Sequence, residues 1–121
     1  MRSLSQNGWT LAVVEVGLGG NLVRRLVAAR GPFISGQVIV GHHGNEDLLQ
    51  LTDSYRQLQH ADVGLGVAIH PNQGTQNVLM VLITPHETQQ FERLYGGPPE
   101  YAPFWSINQS LDIIRRIPHA T

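Results

Sequence analysis

VEVGLGGNLVRRL, residues 14–26, runs from an apolar stretch through Gly17, Gly19 and Gly20 into a helical pattern. WTLAVVEV (9–16) is rich in β-branched side chains and almost continuously apolar, as a strand covered on both faces is. Beyond the glycines, Leu22, Val23, Leu26 and Val27 recur at helical spacing until Gly31-Pro32 ends the run. A strand's carboxyl end therefore meets a helix's amino end across a glycine turn.

The same alternation continues along the chain. GQVIVG (36–41) reads as a second strand, and HHGN (42–45) as a turn. NEDLLQLTDSYRQLQHA (45–61) opens with a capping residue and early acids, as a helix does, with Leu48, Leu49, Leu51, Tyr55 and Leu58 for its inner face. DVGLGVAI (62–69) is a third strand, whose Gly64 and Gly66 leave room for another backbone. HPNQGTQ (70–76) reads as a loop and NVLMVLIT (77–84) as a fourth strand, with PHETQQFERL (85–94) as an edge strand joined to it by a hairpin. Phe104, Ile107, Leu111 and Ile114 then mark a last helix that tolerates Pro103 only in its first turn. These elements predict one layered α/β/α domain over residues 1–121, with a mixed, mostly parallel sheet and a C-terminal helix. Only about eight residues precede the first strand, and no helix is expected in them.

Composition removes several kinds of chemistry. Net charge is −1, so nothing points to a nucleic-acid surface or an electrostatic membrane anchor. All eight basic residues are arginines, which excludes a Schiff base, a P-loop lysine and a serine–lysine pair within this chain. With no cysteine there is no thiol nucleophile, thiolate zinc site or disulfide. The opening MRSLSQNG lacks the apolar core of a secretory signal, and a cytoplasmic protein without a cofactor is the expectation.

At the glycine turn, backbone N–H groups and the positive end of a helix dipole converge, so an anion can bind there. The spacing is neither a dinucleotide fingerprint nor a P-loop. A corner that serves only strand–helix packing fits the residues equally well. Glu15, inside the strand, must find a partner, face a cleft, or accept N–H bonds from its own turn.

The residues TLAVVEVGLGG (10–20) resemble the start of the C-terminal domain of the CinA family, the competence/damage-inducible proteins, which typically reads T-L-A-x-A-E-S-C-T-G-G. GPFISGQVIV (31–40), ADVGLGVAI (61–69), NVLMVLIT (77–84) and SLDIIRRI (110–117) are similar, in order, to further segments of that family. The resemblance spans roughly residues 8–117 and implies a CinA-like fold. It also implies an amidohydrolase that converts nicotinamide mononucleotide to its acid and ammonia.

Carried over residue by residue, the chemistry fails. Glu15, Gly19 and Gly20 match the family's glutamate and Gly-Gly pair. The serine nucleophile falls on Val16, the activating lysine on Glu46, the threonine of Val-Thr-Gly on Ala68, and the arginine before the last helix near Pro99. The expectation is a catalytically silent CinA-like domain that binds a small nucleotide or anion, or assembles with itself. A phosphate-bearing molecule would lie on Gly17, Gly19, Gly20 and Asn21, with Glu15 orienting a polar group and His42 and His70 near the same edge. The runner-up is a deamidase with a non-standard site, using water activated by Glu15, His42 or His70.

Other candidates are weaker. His42, His70 and Glu46 could form a three-ligand metal site, but no spacing fixes it, and no metal is expected. Two histidines with Asp62 could activate water. Ser35 and Ser54 have no base beside them in sequence and read as turn and helix-surface residues; Arg24-Arg25 reads as a solvated helix face, with assistance to an anion at the adjacent turn as the lesser alternative. Tyr95, Tyr101, Phe104 and Trp105, beside a Pro-rich break, read first as aromatics covering the end of the sheet; the alternative is an interface, since Phe104 and Trp105 cannot both point fully inward from one helix face and one of them would meet a neighbouring copy.

Overall fold

The computed structural model describes residues 2–29, 31–40 and 47–118. Its elements are α1 (Arg2–Asn7), β1 (Leu11–Val16), α2 (Asn21–Ala29), β2 (Phe33–Ile39), α3 (Leu48–Leu58), β3 (Val63–Asn72), β4 (Thr75–Ile83), β5 (Thr88–Tyr95) and α4 (Ala102–Arg115). The strands form one sheet in the order β2-β1-β3-β4-β5. β1 pairs in parallel with both β2 and β3, whereas β4 is antiparallel to β3 and to β5. Four strands therefore run one way and β4 alone opposes them. This is the layered α/β arrangement expected from the alternation of elements.

Side-chain alternation along the central strands assigns the helices to faces. Leu11 and Val13 of β1, with Val63, Leu65 and Val67 of β3, pack with Leu4 of α1, Leu22 and Leu26 of α2, and Ile107 and Ile114 of α4. Val14, Val16, Ala68, Val81 and Ile83 face the other way, against Leu48 and the half-buried Leu51 and Tyr55 of α3. Every residue of β1 is buried, as its apolar run, broken only by Glu15, requires.

Several boundaries differ from the sequence reading, each for a local reason. A helix does form before the first strand. In α1, Leu4 is fully buried, the Ser3 hydroxyl donates to the Ile114 carbonyl at 2.7 Å, and Leu4 O accepts from Trp9 N–H. RSLSQN has poor helix propensity, so packing on α4 holds it. β2 begins at Phe33 rather than Gly36 and ends at Ile39. The expected loop at 70–76 is instead strand on both sides of a two-residue turn, Gln73-Gly74, both with positive φ.

Inner faces also shift. Val27 is 61% exposed and Leu58 70%, although both fitted a helical stripe. In α3 the row facing the sheet is Leu48, Thr52 and Arg56, spaced by four, which turns Leu58 outward. Its cap is Asp47, whose carboxylate accepts from Leu49 N–H at 2.9 Å; Asn45 lies outside the described residues. In α4, Pro103 falls in the first turn as required, but Phe104 is 66% exposed while Trp105 stacks on Tyr95 at 5.3 Å. The two aromatics do diverge, and Phe104 is the outward one.

Gly64 and Gly66 admit α3 to close range. A methyl group on Gly66 would overlap the Thr52 hydroxyl, which is fixed by donating to Leu48 O at 2.7 Å, and would press on the Leu48 side chain. Thr52 is β-branched and cannot easily rotate away. Gly66→Ala is therefore expected to cost about 1–3 kcal/mol in a urea melt. An unchanged midpoint would show that α3 does not sit where described.

Candidate functional site

β1 ends at Val16 beside Ile39 of β2 and Ala68 of β3, and the glycine turn follows at that sheet edge. Gly17 has φ +82°, and a Cβ there would come to 3.2 Å from the Ile69 carbonyl oxygen, so only glycine suits the corner. Its N–H donates to Ile39 O at 3.2 Å. Gly19 and Gly20 also take positive φ, which lets the chain turn at once into α2. Gly17, Gly19 and Asn21 are exposed along the rim.

Glu15 lies beneath that turn with no exposed surface. One carboxylate oxygen accepts from Gly20 N–H at 2.5 Å and the other from Val23 N–H at 2.8 Å. Two of the free amides at the start of α2 are thus satisfied by the chain's own carboxylate, which also complements the helix dipole. Of the readings left open for Glu15, this is the acceptance of N–H bonds from its own turn. The side chain does not reach the rim.

Asn21 is pinned from two sides. Its amide nitrogen donates to Leu18 O at 2.7 Å, and its oxygen accepts from the Arg24 guanidinium at 3.1 Å. Arg24, read from sequence as part of a solvated face, is consequently held at the turn. The i,i+3 spacing of Asn21 and Arg24 was the available signal for it.

Val16 and Ala68 are register partners, 3% and 2% exposed. Alternation turns both toward α3, on the face opposite Glu15, within the cluster of Val14, Leu48 and Val81. The positions of the family serine and threonine therefore do meet in space, and they meet as packed aliphatic groups. Glu46 and His42 lie outside the described residues, so the metal triad with His70 does too. His70, half-buried and paired in register with Asn77, stands two residues past Ala68 on the same face. Among the described residues no group of three potential metal ligands occurs.

Two further candidates change their reading. Asp62 lies at the opposite end of the sheet, where its carboxylate accepts from the Thr10 N–H at 2.9 Å and the Thr10 hydroxyl at 3.1 Å. Eight residue steps along the strand direction separate it from His70, roughly 26 Å, so the two cannot share a water. Ser35 is in β2 rather than a turn, and its hydroxyl is hydrogen-bonded to the phenol of Tyr55 on α3. Sequence reasoning also missed a cavity of about 470 Å³ at the far end of the sheet, lined from three separate stretches of chain.

No family model and no curated protein sequence matches the chain. Solved structures do match its fold. A competence or damage-inducible protein from Enterobacter asburiae superposes with a TM-score of 0.78 at 17% identity, covering 97% of this chain and 92% of that one. Competence damage-inducible protein A from Klebsiella pneumoniae gives 0.76 at 18% identity, covering 99% and 93%. The competence/damage inducible protein CihA from Agrobacterium tumefaciens gives 0.73 at 14% identity, covering 96% and 89%. The chain has the fold of the CinA superfamily proteins, as the TLAVVEVGLGG resemblance implies. Among the described residues no helix is long and apolar enough to cross a membrane.

Proposed function

We propose that this is a catalytically silent domain of the CinA fold, a binding or assembly module without amidohydrolase chemistry. The supporting observation is the Val16–Ala68 pair, packed as aliphatic core where an acyl-transfer site needs a hydroxyl and its activating neighbours. The absence of lysine from the whole chain points the same way. A water-activating deamidase is the weaker reading, because both oxygens of Glu15 already accept backbone N–H bonds.

The ligand of this reading is a phosphate-bearing small molecule at the exposed rim. Gly17, Gly19 and Asn21 give it backbone and amide surface, Arg24 gives it a cation, and His70 closes the same edge from β3. Glu15 and Gly20 hold the turn in shape from beneath. Because the buried carboxylate offsets the helix dipole, affinity rests on Arg24 and is modest. Calorimetric titration with nicotinamide mononucleotide and with inorganic phosphate is expected to give a dissociation constant near about 1 mM, weakened several-fold by Arg24→Gln. No heat at about 10 mM of either would remove the ligand from this account.

Self-association is supported by a separate feature. Tyr101 and Phe104, one helical turn apart, are 60% and 66% exposed. Sedimentation of the parent protein against Phe104→Ala checks it: an identical distribution for both would exclude this surface.

A further inference from the structure

The cavity at the end of the sheet remote from the glycine turn lies between β5 and the C-terminal half of α4. Leu82, Ile113 and Ile117, almost fully buried, form an apolar floor. Trp9 and Phe91, both half-buried, supply aromatic walls. At about 470 Å³ it falls within the range of small-molecule sites, with an apolar floor and aromatic walls ringed by polar and charged side chains.

The charges around it are uneven. Arg116, toward the end where α4 terminates, is tied to Asp112 at 2.9 Å. Arg93 makes no ion pair among the described residues; its guanidinium donates to Gln109 Oε1 at 3.2 Å and stands 5.8 Å from the centre of the Phe91 ring. Strand alternation directs neighbouring Glu92 to the other face of the sheet, opposite Leu79. Glu87, at the cavity's other end, is six residues from Arg93 along the strand, roughly 20 Å, which exceeds the Debye length at physiological salt. At its Arg93 end the cavity thus has a cation with no carboxylate paired to it, while His86, its ring 5.5 Å from that of Trp9, and Glu87 line the other end.

We propose that this cavity binds a small aromatic carboxylate, its ring between Trp9 and Phe91 and its carboxylate on the Arg93 guanidinium. Arginine's planar fork matches a carboxylate in two parallel hydrogen bonds, and the Phe91 ring beneath orients that fork. The site is separate from the rim at Gly17–Asn21 and does not depend on any ligand there.

The test is a nuclear magnetic resonance titration of the full chain with naphthalene-2-carboxylate. The indole N–H of Trp9 and the backbone amides of Gln89 and Phe91 are expected to shift saturably below about 5 mM. The indole of Trp105, which packs on Tyr95 beyond the cavity, stays in place. Arg93→Gln, at an exposed position, folds and weakens binding at least tenfold, as does replacing the probe with the neutral naphthalene-2-carboxamide. Unmoved Trp9 and Phe91 signals, or equal binding by the amide probe or by Arg93→Gln, would overturn the proposal.

Discussion

Glu15→Ala is expected to lower the unfolding free energy by about 3 kcal/mol, a large share of the roughly 5–15 kcal/mol that holds a domain together. The change removes two charge-assisted hydrogen bonds, from Gly20 and Val23 N–H, each worth about 1.5–3 kcal/mol. The lower part of the summed range applies because both amides are on half-buried residues that water reaches once the carboxylate is gone. Glu15→Gln separates charge from bulk. Its side chain fills the same volume, but its amide group turns a donor toward one of the two N–H groups, so it too is destabilising, by about 2 kcal/mol. Urea unfolding of both variants checks this. Midpoints within about 0.5 kcal/mol of the parent would mean that the carboxylate does not hold the turn.

A helix amino end attracts anions through its free amides and its dipole. Here a buried carboxylate from the preceding strand already occupies two of those amides. What an external ligand meets is the glycine rim and the Arg24 guanidinium, which is why the ligand proposed there is weakly held and why Arg24 carries its test.

β1 and most of β4 were legible because long apolar runs demand burial, and WTLAVVEV and NVLMVLIT have little other use. The glycine corner was legible because three glycines between a strand and an amphipathic helix leave few alternatives. α1 was not legible: RSLSQN has no strong local preference, and the groups that fix it, Leu4 and the Ser3–Ile114 bond, act across the length of the chain. Val27, Leu58 and Phe104 matched helical stripes, yet each helix meets the sheet along a row narrower than the apolar pattern suggests. At the site, sequence placed Glu15 and Val16 at the end of the first strand and named Ala68 only through the family resemblance. It did not reveal that Glu15 points to one face and Val16 with Ala68 to the other, a consequence of strand register. The cavity beside Arg93 was hidden for a similar reason, being assembled from Trp9, β5 and the end of α4 only after folding.

The largest expected effect is on the rate of amide hydrolysis. Removing a serine nucleophile from a well-studied protease costs on the order of 10⁶-fold, about 8 kcal/mol of barrier. In this chain Val16 has no atom to attack a carboxamide, its neighbourhood is aliphatic, and no lysine exists to draw a proton from any hydroxyl placed there. Val16→Ser alone is therefore not expected to bring activity, because the new hydroxyl would lie buried among Ala68 and Leu48 with no lysine in the chain to activate it.

Ammonia release from nicotinamide mononucleotide, followed with and without added zinc or magnesium, tests this most directly. No ammonia above the protein-free buffer is expected from the parent chain or from Val16→Ser. Steady turnover by the parent protein, saturating with the nucleotide and proportional to protein concentration, would contradict it.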